Sequence, residues 1–203
     1  MKETKGNISA YRSIAVVDMD GTLVSLNTWK PFAKLVLCKA LKRAKIFSGA
    51  SCVFMLLLRK GGMVSHRRVK KHIMLHSYTV LKESDLIEFA SDMSRHFNPE
   101  VIRLIDEARG EGALVVLASA AAGEYVPYIA ERAGISSVFS TPRAKRGVEY
   151  LECRGERKAE EIDKLSQQLG LPVSLIVTDH PDDFPLFEKF PEARHVLVKS
   201  NTN

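Results

Sequence analysis

Four short apolar runs punctuate the chain, and each one ends on or beside a polar residue. They are Ser13 to Asp18, Ala113 to Ser119, Val173 to Asp179 and His195 to Val198. Unbroken apolar runs of this length predict strands buried on both faces, as in a parallel sheet. Between them lie stretches of helical period. Pro99 to Arg109 places apolar residues at 101, 102, 104, 105 and 108. Gly123 to Ala133 and Arg157 to Leu169 read the same way, and Gly134 and Gly170 follow them as C-caps. Alternating strand and helix implies an α/β fold around a parallel sheet. In such sheets the site lies beyond the carboxyl ends of the strands. Asp18, Ser119 and Asp179 each close a predicted strand, so all three are expected on one edge.

Two stretches break the alternation. Residues 1–12 are polar and are expected to form a loose arm. Residues 27–96 show helical periodicity with little strand signal, which predicts a helical insertion after the first strand. The expected division is a core of residues 1–26 and 97–203 with a small all-helical cap at 27–96. Charge separates the two parts as well. The insertion carries 14 Lys and Arg against four acids, a balance of +10, while the rest of the chain sums to −4. The formal net charge of +6 therefore resides in the insertion and points to an anionic partner. Ile46 to Leu58, within it, has no charge and is flanked by Lys45 and by Arg59-Lys60. It is too short to span a bilayer, which takes about 20 apolar residues.

Cys38, Cys52 and Cys153 are odd in number and lack a CxxC spacing. A disulfide framework or a zinc site is not expected, and the reading is a reducing cytoplasm. The first apolar run is short and leads into acids, so it does not read as a signal peptide.

The chemistry concentrates at the strand ends. In Asp18-Met19-Asp20-Gly21-Thr22 one carboxylate is placed to attack phosphorus. A second, two residues on, is placed to protonate a leaving oxygen and then activate water. Gly21 permits the turn that brings them together. Ser119 offers a hydroxyl and following N–H groups to phosphate oxygens, or simply caps a helix. Lys158, with Arg154 and Arg157 as competitors, offers positive charge to a phosphoryl group. Asp179 and Asp183, in Thr178-Asp179-His180-Pro181-Asp182-Asp183, supply hard oxygen ligands that suit magnesium; the plain alternative is an acidic loop capping the next helix.

Taken in order, DxDGT, strand-Ser, Lys and DxxxD resemble the motif set of the haloacid dehalogenase-like superfamily, in its phosphatase branch. The resemblance covers about residues 13–198. It implies a Rossmann-like three-layer core and, because the insertion directly follows the first motif, the helical cap class that includes phosphoserine phosphatase. It implies Asp18 as nucleophile and metal ligand, and Asp20 as general acid/base with its carbonyl on the metal. Ser119 and Lys158 would bind phosphate, and Thr22 would orient the first loop. Asp179 would be a direct magnesium ligand, with Asp183 supporting it or binding through water. The implied reaction is Mg²⁺-dependent hydrolysis of a phosphomonoester through an aspartyl-phosphate. A phosphotransferase would share that intermediate but pass it to another acceptor.

The cap is expected to choose the substrate, a small phosphorylated molecule. Val116 to Arg132 resembles phosphoserine phosphatase relatives. Those enzymes usually carry glutamate after the first motif, where this chain has Val24-Ser25-Leu26-Asn27-Thr28. Lys34 to Leu58 resembles the cap of phosphatidylglycerophosphate phosphatases of the same branch, and its basic flanks suggest peripheral contact with an anionic membrane. A buried cap helix with a solvated basic rim is the plainer reading. Trp29 and Phe32 are expected in the cap core, with the substrate pocket as the alternative. Nucleic acid is not expected, since Arg67-Arg68 and Lys70-Lys71 are not interleaved with aromatics. His180 is read as a loop residue, not a ligand.

Overall fold

The computed structural model describes residues 10–199. Residues 1–9 of the expected N-terminal arm lie outside them. Five parallel strands form one sheet: β1 (Ser13–Val17), β2 (Ala113–Ala122), β3 (Ser137–Thr141), β4 (Val173–Thr178) and β5 (Arg194–Leu197). Their order is β3-β2-β1-β4-β5, with β1 at the centre. Alternation along β1 divides the core. Ala15 and Val17 join one buried apolar cluster, and Ile14 and Val16 the other. Both faces of the strand are therefore covered, which is why it reads as an unbroken apolar run.

The helices are α1 (Trp29–Lys42), α2 (Ile46–Lys60), α3 (His66–Val80), α4 (Glu83–Ser94), α5 (Pro99–Gly110), α6 (Val126–Arg132), α7 (Glu156–Leu169) and α8 (Phe184–Lys189). Sequence signals set several of their ends. Asn98 accepts the Glu100 N–H, and Pro99 opens α5. Gly170 closes α7 at φ 64°. The core is an α/β fold around a parallel sheet, as the alternation predicts, and Rossmann-like, as the family resemblance implies.

Two expectations at β2 need correction. The strand runs on to Ala122, past Ser119, and α6 begins only at Val126. The reason is β3, a short edge strand that the pattern did not announce. It pairs with β2 beyond Ser119, through a register shift between Ser119 and Ala122. Gly123 then donates to the Thr141 carbonyl at 2.9 Å. A Cβ on Gly123 would lie 3.0 Å from that oxygen, so the close approach favours glycine.

Helices α1 to α4 form the insertion between β1 and α5. Its two ends are tied together. Val24 bridges Phe97, Ser25 N donates to the His96 carbonyl, and Asn98 N donates to the Leu23 carbonyl. Within it one buried acid holds several donors. Asp85 accepts from Arg43 at 2.6 and 3.1 Å and from the Lys82 N–H at 2.7 Å, and pairs with Lys39 at 2.7 Å. Burial alone would raise its pKa, but these donors outweigh it and hold the carboxyl at about 2. A depressed folded pKa means stability that is present above the normal carboxylate range and is lost as pH falls from about 4 towards 2. Asp85→Asn is expected to cost about 1–3 kcal/mol at neutral pH, and the gap from wild type should close at about pH 2. Urea melts across that pH range check it.

Candidate active site

The central strands deliver the predicted acids to one edge. Val17 pairs with Leu117 on one side and Val177 on the other. Asp18 therefore sits level with Ala118 and Thr178, and Ser119 and Asp179 lie one residue farther on. The chain turns sharply at Gly21, whose φ is +80°. Val24 N then bonds back to Met19 O, and Gly21 N to Val24 O.

At the centre is a buried ion triad. Lys158 Nζ lies 2.8 Å from Asp18 Oδ1 and 2.7 Å from Asp183 Oδ1, and its side chain is 3% exposed. Helix α7 carries it in its first turn. Of Arg154, Arg157 and Lys158, it is Lys158 that reaches Asp18, while Arg154 pairs with Asp182. Burial would lower the ammonium pKa, but Asp18 and Asp183 reverse this and push it up. Burial, helped by the Asp183 and Asp20 charges, lifts Asp18 to about 7 against the opposing pull of Lys158. Asp20 is raised too, chiefly by burial, although its Oδ1 accepts the Thr28 N–H at 3.0 Å.

The remaining predicted residues surround this centre without bonding to Asp18. Thr22 Oγ1 donates to Asp179 Oδ1 at 3.0 Å. Ser119 is buried, and its Oγ accepts the Ala121 N–H at 3.1 Å. Asp183 Oδ2 accepts from Thr178 and Lys158, both at 2.8 Å, and its Oδ1 lies 2.7 Å from the same ammonium. His180 is a loop residue whose Nδ1 accepts the Asp182 N–H.

The oxygens of Asp18, Asp179 and the Asp20 carbonyl are a donor set suited to magnesium, which takes one or two carboxylates and keeps several waters. The close packing at Gly21 fits it as well. A Cβ there would lie 2.0 Å from Asp179 Oδ2, so glycine is what lets that carboxylate into the first loop. Among the described residues no group of three or more His, Cys, Asp or Glu side chains is placed to hold a metal ion without backbone or water ligands.

Beside Asp20 is a cavity of about 160 Å³, lined in part by Trp29, His66, Lys70, Tyr125, Tyr150 and Glu152. Most of these were not singled out in the sequence. Lys70 lies 2.6 Å from Glu152 and sits over the Trp29 ring. Its neighbours Arg67 and Lys71 reach the carbonyls of Tyr150 and Val148 at 2.5 Å. Much of the basic run on α3 thus contacts the 148–152 segment. The available signal was its spacing, since residues 67, 70 and 71 share one helix face. Trp29 lines the cavity, whereas Phe32 is buried against Phe89 and Tyr125. Tyr125 also bonds Thr28 Oγ1 at 3.0 Å, which braces the residue that holds Asp20.

Comparison with known proteins settles the family. The model of the haloacid dehalogenase-like hydrolases matches residues 15–188. This chain belongs to that family. No curated protein matches the sequence of this hydrolase. Several solved structures resemble it. A protein of unknown function from Bordetella pertussis Tohama I superposes with a TM-score of 0.67 at 16% identity, over 92% of this chain and 90% of its own. A phosphoserine phosphohydrolase-like protein from Francisella tularensis subsp. tularensis SCHU S4 gives 0.54 at 14%, over 91% and 86%. A substrate-bound phosphoserine phosphatase complex gives 0.54 at 16%, over 93% and 94%. At these identities the likeness is one of fold.

Proposed function

We propose that this hydrolase is a magnesium-dependent phosphatase that cleaves a small phosphomonoester through an aspartyl-phosphate on Asp18. The observation that carries the reading is the buried triad of Asp18, Lys158 and Asp183 at the strand edge, with Asp20 two residues on. Lys158 engages Asp18 Oδ1 and leaves Oδ2 as the attacking oxygen. Oδ2 bonds to phosphorus as the bond to the leaving alcohol breaks, and Asp20 gives that alcohol its proton. Burial favours the protonated Asp20 this step needs. In the second step Asp20 takes a proton from water, which attacks phosphorus and frees Asp18. Lys158, together with Ser119, would hold the phosphoryl oxygens. Magnesium bound by Asp18, Asp179 and the Asp20 carbonyl would offset repulsion between Asp18 and the phosphate. Trp29, His66 and Lys70 come from the insertion, which supports reading it as a cap that selects the leaving group.

The test is phosphate release from an aryl phosphate, with and without magnesium and with no added acceptor. Magnesium-dependent release supports the reading; formation of a phosphorylated product only when an acceptor alcohol is supplied would replace it with phosphoryl transfer. A panel setting phosphatidylglycerophosphate against phosphoserine and other small phosphomonoesters then addresses substrate. Gly21→Ala changes no charge yet drives a Cβ into Asp179 Oδ2. It is expected to weaken magnesium binding at least about tenfold by calorimetry, and to cost about 1–2 kcal/mol from its positive φ.

A further inference from the structure

Helix α2 presents an apolar face to solvent. Ile46, Phe47, Ala50, Val53, Phe54 and Leu57 are exposed and, at helical spacing, share an arc of about 120°. Phe47 is 94% exposed. The opposite side buries Cys52. Leu41 before the helix and Met63 after it add exposed apolar surface at either end. A patch of this kind on a folded chain marks an interaction site. Its outward position also overturns the plainer expectation of a buried cap helix.

The surrounding charge indicates what covers it. No Asp or Glu occurs from residue 21 to residue 82. Lys42 and Lys45 precede the face, Arg59 and Lys60 follow it, and all four are exposed. A second copy of the chain would bring the same positive rim against itself. An apolar strip about 18 Å long with cations at both ends is instead complementary to a surface with an apolar interior and anionic headgroups. No helix among the described residues is long and apolar enough to cross a membrane, so the contact lies in the plane of the surface. Arg59 is near enough to His66 for its charge to help lower the imidazole pKa, after burial and Lys70. His66 lines the cavity beside Asp20. The basic end of α2 therefore neighbours the candidate active site.

We propose that the outward face of α2 is a docking surface for an anionic lipid bilayer. The proposal does not rest on the phosphatase reading. The test is co-sedimentation of the full chain with vesicles of phosphatidylcholine, alone or with one lipid in three replaced by phosphatidylglycerol. The wild type is expected to partition at least about tenfold more strongly to the anionic vesicles, and less so as salt rises. Phe47→Ser with Phe54→Ser should lose that preference with an unchanged thermal melt. Lys45→Glu or Lys60→Glu should each weaken it roughly fivefold or more. Absence of vesicle binding by the wild type, equal binding to neutral and anionic vesicles, or undiminished binding by the Phe double variant would each overturn the proposal. So would a wild-type dimer that the Phe double variant dissolves, since that result assigns the face to a second copy.

Discussion

Asp18→Asn is expected to lower phosphate release by on the order of 10⁴-fold or more, the scale of losing a nucleophile, while the chain stays folded. An amide is not a competent nucleophile and is a poor ligand for magnesium. The wild-type carboxylate is also costly to bury, since burial and the nearby Asp183 and Asp20 charges lift it to about 7. A carboxylate whose folded pKa is raised contributes stability at low pH that is lost as pH rises through the folded value. Without magnesium, the asparagine variant should therefore melt higher than wild type at pH 8, and the advantage should vanish below about pH 4. Lys158 keeps Asp183 as a partner in the variant. Loss of activity together with equal or greater stability separates a catalytic role from a structural one. Phosphate assays and thermal melts on the same preparation read both.

Lys158→Met has the opposite signature, with activity and stability falling together. The ammonium is buried between two carboxylates. Removing it strands both charges away from solvent, which costs about 3–5 kcal/mol for a buried pair. It also removes positive charge from the phosphoryl site, worth about 10²–10³-fold in kcat. The stability loss should depend on pH, because burial raises Asp18, and its protonation removes one of the two stranded charges. Urea melts are expected to show the full penalty at pH 8 and a smaller one at pH 5. A penalty independent of pH would mean that the carboxylates do not face each other once the lysine is gone.

The strand ends were legible for a physical reason. A central parallel strand must be apolar on both faces, so β1 and β4 read as short unbroken runs, and the residue after each falls on the functional edge. β3 was not legible, since Ser137, Ser140 and Thr141 dilute its pattern and it lies at the edge of the sheet. Ala120 to Ala122 carry no strand or helix signal of their own, so the end of β2 depended on that unseen neighbour. The acids of the first motif and of the 179–183 loop, with Lys158, were identifiable from type and order. The cavity was not, because the pairing of Lys70 with Glu152 joins residues 82 positions apart. The run Arg67 to Lys71 looks like a solvated basic stretch until the 148–152 segment is placed against it. For α2 the sequence showed an apolar helix with basic flanks, and only the structure shows that its apolar face points outward.

The central claim is that Asp18 carries the phosphoryl group. The most direct measurement is an acid quench of the wild-type enzyme during turnover of an aryl phosphate with magnesium, followed by mass mapping of its peptides. The account predicts an acid-stable, base-labile phosphoryl group on Asp18, absent from Asp18→Asn. A phosphoryl group on any other residue, or turnover with inversion at phosphorus and no phosphorylated peptide, would contradict it.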